Sequence, residues 1–234
     1  MLKPPILIIN LKEYDQVLGE KPLKFAEVAK KLSDKSKVNI VIAPPAPLLN
    51  EVAKISLTVS QHIDPYEPGA HTGALLAKEV KELGGIGSLI NHSEKRIPHE
   101  DIKKCVDLCK EYELVSVVCA KDNDEVKKIA EFKPDFIAIE PPELIGGDIS
   151  VSTAKPEIVK NSVNDVKKIS PRTYVLCGAG IKTREDVKKA IELGAKGVIL
   201  ASSVVKAGNV EKAMEELIMG MKWSSIWISS KVRH

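Results

Sequence analysis

The sequence has no long hydrophobic run. Hydrophobic residues make up 44% of its 234 residues, but they fall into short stretches, and a membrane-spanning helix needs about 20 consecutive apolar residues. Residues 1–5, MLKPP, pass directly into a strand-like run and offer no secretory signal. We therefore expect no membrane partner and a cytoplasmic location.

Cysteine pairs and aromatic side chains are also scarce. The four cysteines, Cys105, Cys109, Cys119 and Cys177, form no CxxC pair, which argues against a metal site or a disulfide framework and predicts thiols packed in the core. Aromatic residues are 4% of the chain, and the net charge is only +3. Because a nucleic-acid surface combines a basic patch with stacking aromatics, we expect no nucleic-acid partner. The composition does not argue against an anionic small molecule as the ligand.

Short β-rich runs alternate with amphipathic stretches along the chain. The predicted strands are residues 6–10, 39–43, 55–61, 87–91, 114–120, 136–140, 174–178 and 197–201. Eight such β/α units fit an α/β closed barrel, the (β/α)8 TIM barrel, better than an open doubly wound sheet. A chain of this length could also hold two small domains, but no linker divides it. We therefore predict a single catalytic domain over residues 1–220.

The last residues do not follow this alternation. Beyond a final helix predicted to run from Val210 to about Met219, residues 221–234 carry both tryptophans, Trp223 and Trp227. Two interpretations stay open: a native interaction segment, or a non-native addition. We assign this tail no function.

Polar or glycine-rich residues close five of the apolar runs. The clusters are NLK at 10–12, NHSE at 91–94, EPP at 140–142, CGAG at 177–180 and AS at 201–202. In a barrel, active-site residues project from the carboxyl ends of the strands. The clusters therefore predict an enzyme whose site lies at one end of the barrel.

Four motifs stand out in the sequence, and three of them contain one of these clusters. They are NLK at 10–12, GAHTG at 69–73, NHSEKR at 91–96 and EPPELIGG at 140–147. Together they resemble the triosephosphate isomerase family, in its short archaeal type, over nearly the whole chain outside the tail. The resemblance implies an isomerase that interconverts D-glyceraldehyde 3-phosphate and dihydroxyacetone phosphate through an enediolate, in glycolysis and gluconeogenesis. It implies a phosphorylated triose as substrate, with no metal and no organic cofactor.

Glu140 is the candidate base for moving a proton between adjacent carbons. It directly follows the apolar run at residues 136–139, and burial against those apolar side chains should raise the proton affinity of its carboxylate. An isolated glutamate after a strand more often caps a loop. Pro141 and Pro142, and the loop that follows them, favour the base.

His92 is the candidate electrophile that stabilises the enediolate oxygen. Residues 93–96, SEKR, are expected to begin a helical turn, and a helix N-terminus disfavours a protonated imidazole. The pairing of a neutral histidine with a glutamate base comes from the resemblance, because this family is the standard example of it. The other histidines are interpreted as structural: His62, His71, His99 and His234.

Lys12 is the candidate cation. A lysine just after a strand is usually a surface residue, but Asn10 closes the preceding apolar run and singles this one out. By resemblance Asn10, Leu11 and Lys12 contact substrate, and Lys12 offsets the phosphate and enediolate charges. Glu94 is by resemblance a supporting carboxylate, with a solvated acid as the alternative.

Backbone amides are the candidate grip on the phosphate. Gly180 follows the seventh run, and Ala201 and Ser202 follow the eighth at the expected start of a short helix, which is the usual phosphate site of such barrels. Ordinary turns also need glycine, so the prediction depends on the two sites being adjacent. Residues 141–151 predict a lid of the kind described for this family, with Ile145 and Gly146 contacting substrate through their backbone.

Thr72 is by resemblance the residue that reaches into a neighbouring subunit's site. The resemblance therefore implies a homo-oligomer, which is a dimer or, in the short forms, a tetramer. Some positions depart from the commoner family pattern: Asn91 replaces a glycine, Glu143 replaces a tryptophan, and Ala201 and Ser202 replace glycines. These departures bear on the motion of the lid.

Two alternatives remain at this point. Another phosphate-binding barrel isomerase would share the features of residues 177–202 but would not need Lys12, His92 and Glu140 together. A catalytically silent barrel could act as a binding protein through its tryptophan-containing tail. The intact set of catalytic candidates argues against it.

Overall fold

The computed structural model describes residues 2–144 and 150–231, with side chains to residue 221. Eight parallel strands form a closed barrel in chain order, and the last strand pairs with the first. The strands are β1 Ile6–Asn10, β2 Asn39–Ala43, β3 Leu57–Ser60, β4 Gly87–Ile90, β5 Val115–Ala120, β6 Phe136–Ile139, β7 Tyr174–Cys177 and β8 Gly197–Leu200. The predicted (β/α)8 barrel is confirmed, and every predicted run contains one strand.

Helices follow the strands and cover the outside of the barrel. They are α1 Pro22–Ser36, α2 Leu49–Ala53, α3 Ala77–Glu82, α4 His99–Glu111, α5 Asn123–Glu131, α6 Val151–Ala154, α7 Pro156–Ile169, α8 Arg184–Glu192, α9 Ser202–Val205 and α10 Val210–Lys231. α1 shows why these segments are helical. Pro22 suits a first turn, and Phe25, Ala29 and Leu32 recur at helical spacing and are buried against the strands.

The core has two layers because successive strand residues point to opposite faces. In β1, Ile6 and Ile8 belong to the cluster that fills the barrel interior. Leu7 and Ile9 belong to the larger cluster between strands and helices. Both faces of the strands are therefore buried, as expected of a parallel sheet.

The same alternation delivers polar groups to the mouth of the barrel. Phe136 and Ala138 fill the interior, so Glu140, two residues further on, points into the carboxyl end of the barrel. Asn10 continues the interior series of Ile6 and Ile8 in the same way. Five predicted strands extend one residue too far at their carboxyl ends, at residues 61, 91, 140, 178 and 201.

The last helix differs from the prediction. α10 runs from Val210 to Lys231, whereas the sequence predicted an end near Met219. Gly220 does not end the helix, because it serves a close helix contact: a Cβ there would lie 2.4 Å from the Arg184 carbonyl oxygen of α8. Met221 is also buried. The proposed tail therefore begins inside a helix.

All four cysteines are free and buried, so the expected packing of thiols in the core is confirmed. Among the helices described, none combines the length and apolar character needed to cross a membrane.

Candidate active site

A cavity of about 280 Å³ opens at the carboxyl end of the barrel. Most of the residues singled out in the sequence line it together: Asn10, Lys12, His92, Glu94, Glu140, Gly180, Ala201 and Ser202. They come from the ends of five different strands, which are far apart in the chain. Their convergence is a consequence of barrel closure, because β8 pairs with β1.

Four of the predicted site residues are not found in this cavity. The Leu11 side chain is buried in the outer core, and its amide donates to the Ala43 carbonyl oxygen at 3.0 Å, so neither group faces a ligand. Thr72 is exposed on the loop between β3 and α3. Ile145 and Gly146 lie outside the described residues.

Glu140 is buried, with 3% of its surface exposed. Its Oε2 atom has no hydrogen-bond partner among the described residues. Burial raises the pKa of the Glu140 carboxyl above its ordinary value, although His92, the Cys119 thiol and Lys12 oppose this rise. A desolvated carboxylate with a free oxygen is a strong proton acceptor, because it lacks the water that would stabilise its charge.

Hydrogen bonding fixes the ring of His92. The backbone amide of Glu94 donates to the ring Nδ1 atom at 3.2 Å. A ring nitrogen that accepts a hydrogen bond carries no proton, so this contact assigns the proton of a neutral ring to Nε2. The predicted helical turn after His92 is wrong: residues 93–94 form a turn closed by Lys95 N and His92 O at 2.8 Å, and α4 begins only at His99.

Lys12 is held at both its backbone and its ammonium group. Its φ of 50° lies in the left-handed region, which costs about 1–3 kcal/mol for a residue other than glycine. The Asn10 Oδ1 atom accepts from the Lys12 amide at 3.0 Å, and Gln61 donates to the Lys12 carbonyl oxygen at 3.1 Å. The Nζ atom contacts Glu94 Oε1 at 2.7 Å. These contacts aim a mostly buried ammonium group at the cavity.

The opposite wall offers backbone donors. Ser202 begins α9, and the first turn of a helix leaves amides without helical partners. Gly180 stands beside it at a left-handed φ of 69°. Such amides bind anions well because the backbone can approach closely and no side chain intervenes. α9 is a single turn, so Gly180 is the second candidate donor on this wall.

Gly178 leaves room for the base. A Cβ atom at this position would lie 2.4 Å from Glu140 Cγ and 2.8 Å from Glu140 Oε1. Real Cβ atoms do not approach other atoms so closely, so any larger residue would displace the carboxylate. The glycine after β7 thus serves the base as well as the turn.

The two ends of the predicted lid are attached to the barrel. After β6, Pro142–Leu144 form a 3₁₀ turn, and Glu143 pairs with Lys155. At the other end, Val151 donates its amide to the Ala179 carbonyl oxygen at 3.0 Å. The returning end of the lid is therefore joined to the loop that also carries Gly180.

Five cavity residues were not singled out as site candidates in the sequence: Tyr14, Ile181, Lys182 and, within the eighth predicted strand, Ile199 and Leu200. The Lys206 ammonium group lies 4.5 Å from the centre of the Tyr14 ring, which links the loop after β1 to the segment after α9. A tyrosine two residues beyond Lys12 is a notable signal in a chain with few aromatics. Nothing in the sequence identifies Ile181 and Lys182 as cavity residues, except that they follow Gly180.

Within residues 2–144 and 150–221, no group of three or more His, Cys, Asp or Glu side chains could hold a metal ion. The chemistry of the lining side chains is that of acids, bases and a fixed ammonium group.

Comparison with known proteins places the chain in a family. A family model described as triosephosphate isomerase matches residues 5–217. Relatives named triosephosphate isomerase come from Methanothermus fervidus and Methanocaldococcus jannaschii, each 47% identical, over 93% and 91% of this chain and 99% and 98% of their own. A third, from Sulfurisphaera tokodaii, is 43% identical over 93% of this chain and 96% of its own. None of this favours the two alternative functions. The chain belongs to the triosephosphate isomerase family.

Proposed function

We propose that this cavity interconverts D-glyceraldehyde 3-phosphate and dihydroxyacetone phosphate by proton transfer. The observation that carries the proposal is that Lys12, His92 and Glu140 line one small cavity whose opposite wall presents Gly180 and Ser202. Cavities for drug-sized ligands run to about 300–1,000 Å³, so this one suits a smaller metabolite. We place the reaction in glycolysis and gluconeogenesis, and the protein in the cytoplasm.

Glu140 begins the reaction by taking the proton from C2 of the aldehyde. The electrons move to the C1 carbonyl oxygen and give an enediolate, whose charge the Nε2–H of His92 and the ammonium group of Lys12 stabilise. His92 moves a proton between the two oxygens, and protonated Glu140 returns its proton to C1, which leaves the ketone at C2. The roles of base and neutral histidine are carried over from the family.

The phosphate cradle orients the substrate so that its carbons lie against Glu140. Binding energy from a group that does not react is then available to hold the reacting atoms in position. A lid over residues 141–151 would exclude water from the enediolate. The enediolate would then lose phosphate more slowly than it is protonated to give the product.

A coupled assay tests the proposal. Purified protein should convert glyceraldehyde 3-phosphate to dihydroxyacetone phosphate, and the product is followed by its reduction with a coupling dehydrogenase. Turnover should persist with EDTA present, because the side chains supply all the chemistry. Folded protein without turnover on either substrate would overturn the proposal.

A homo-oligomer, either a dimer or a tetramer, is part of the proposal. Thr72 is exposed on a loop that is ordered by its own contacts, since the rings of Tyr66 and His71 stack at 4.3 Å. Beside the active site, and sharing Lys12 with it, lies a second cavity of about 410 Å³. A loop of this kind from another copy of the chain would fit there.

Residues 1–220 form the proposed catalytic domain. All the described cavity residues lie before Val205, and the family model ends at residue 217. We therefore propose no catalytic role for residues 221–234.

Deletion of residues 223–234 tests both the domain boundary and the assembly. Turnover should stay within about twofold of the full chain, because the described cavity residues all precede Val205 and changes away from such a site usually have small effects. Light scattering should give the mass of two or four chains for both proteins. Loss of turnover in a folded variant would assign the tail a role, and a single-chain mass for both would contradict the oligomer.

A further inference from the structure

Asn91 ties together the loop that carries His92. Its φ of 61° lies in the left-handed region, where asparagine and glycine are the favoured residues. Unlike glycine, it has an amide: Oδ1 accepts from the Ile97 backbone amide at 3.1 Å, and Nδ2 donates to the Cys119 carbonyl oxygen at 3.0 Å. The asparagine thus closes residues 91–97 on themselves and attaches them to the end of β5.

The Glu125 carboxylate contacts this loop from the neighbouring helix α5. Glu125 lies in the first turn of α5, and its side chain is 11% exposed. Its Oε2 atom accepts from Arg96 Nη1 at 3.1 Å and from the Lys121 amide at 2.6 Å, and its Oε1 atom lies 3.4 Å from Asn91 Nδ2. His99 also lies nearby, with its Nε2 atom 3.7 Å from Glu125 Oε1. One carboxylate therefore contacts both ends of the loop.

Cys119 links the loop that carries His92 to the surroundings of Glu140. Arg96 Nη1 and Asn91 Nδ2 both approach the Cys119 carbonyl oxygen, at 3.4 Å and 3.0 Å. The Cys119 thiol lies near the Glu140 carboxylate and opposes the rise in its pKa that burial causes, and the Glu140 amide donates to the Ala120 carbonyl oxygen at 2.8 Å. The backbone at Cys119 thus lies between the segment that presents His92 and the base.

We propose that Glu125 is a positioning residue for the isomerisation: through Asn91 and Arg96 it holds the loop that presents His92 to the substrate. This inference rests on the proposed function. Glu125 is not among the described residues that line the cavity. Without this carboxylate, the charged guanidinium group of Arg96 would pair with a different acceptor. The loop at residues 91–97 would then be displaced together with Arg96.

Steady-state kinetics separate positioning from simple stabilisation. Glu125→Ala should lower kcat about tenfold, since displacement of a catalytic group by 1 Å costs up to about a hundredfold. KM should change less than about twofold, because the phosphate cradle belongs to other strands. Glu125→Gln, which keeps two acceptor positions for Arg96 and Lys121, should recover part of the loss. Glu131→Ala, an exposed glutamate on the same helix, is the matched control.

A double variant and a spectrum test the route through Asn91. If Glu125 acts through that side chain, Asn91→Gly and Glu125→Ala should be less than additive in kcat. In protein labelled with ¹⁵N-histidine, Glu125→Ala should shift the ring signals of His92, and Glu131→Ala should not. The spectrum needs no turnover, so it remains informative if the proposed function fails.

The overturning result is specific. Folded Glu125→Ala and Glu125→Gln proteins that keep the kcat of an active wild type, with His92 signals unshifted, would show that Glu125 serves stability alone. Additive losses in the double variant would remove Asn91 from the route.

Discussion

Glu140→Gln should lower kcat about a thousandfold, because the amide cannot accept the substrate proton and general base catalysis contributes about 10²–10⁴-fold. The substitution keeps the volume that Gly178 leaves for residue 140, so the fold should survive. Steady-state kinetics in both directions measure the effect. A kcat within about tenfold of wild type would remove Glu140 as the base.

Further measurements on Glu140 separate chemistry from binding. Glu140→Asp keeps the carboxylate but withdraws it by about 1 Å, so a loss of about a hundredfold is expected. Both variants should still bind inorganic phosphate, because the cradle lies at the ends of β7 and β8. Because burial raises the Glu140 pKa, the acid limb of kcat/KM should lie above the titration of an ordinary glutamate. Glu157→Gln, on the exposed face of α7, is the matched control.

Lys12→Met should lower kcat/KM by about a thousandfold, because a largely buried ammonium group aimed at developing negative charge is worth several kcal/mol. Methionine keeps the length of the side chain and the same left-handed backbone, so the charge is the main change. KM should rise and kcat should fall, because we propose that Lys12 contacts both the phosphate and the enediolate. Calorimetry should show weaker phosphate binding.

Two comparisons make the Lys12 result interpretable. Lys12→Arg should recover part of the binding but little of kcat, because the planar guanidinium does not match a compact ammonium group. Lys24→Met, at an exposed position on α1, should behave as wild type. Unchanged KM and phosphate affinity in Lys12→Met would show that the ammonium group does not reach the ligand.

The barrel was predictable because its signal is local. Each strand is a short β-rich run, and the alternation of side chains carries Asn10 and Glu140 to the mouth once the strand boundaries are approximately right. Errors occurred where long-range packing decides. The sequence predicted that the last helix ends near Met219, but in the structure Gly220 allows α10 to continue and to lie close to α8.

The site was predictable in its members but not in its supports. The sequence indicated Lys12 and His92, yet it gave no sign that Gln61 would bond the Lys12 carbonyl or that the Glu94 amide would fix the His92 ring. Such contacts depend on which loops become neighbours when the barrel closes. The resemblance also pointed to Leu11, whose side chain is buried in the core, because a motif match does not distinguish a residue's backbone from its side chain.

The burial of all four thiols has a practical consequence for chemical labelling. Burial raises the pKa of Cys105 and of Cys177 to about 12 and raises that of Cys109 and Cys119 as well. Alkylating reagents attack the thiolate, so the native protein should be inert to maleimides. An exposed substitution such as Glu143→Cys would therefore give one reactive handle at the entrance to the lid, without first removing the natural cysteines.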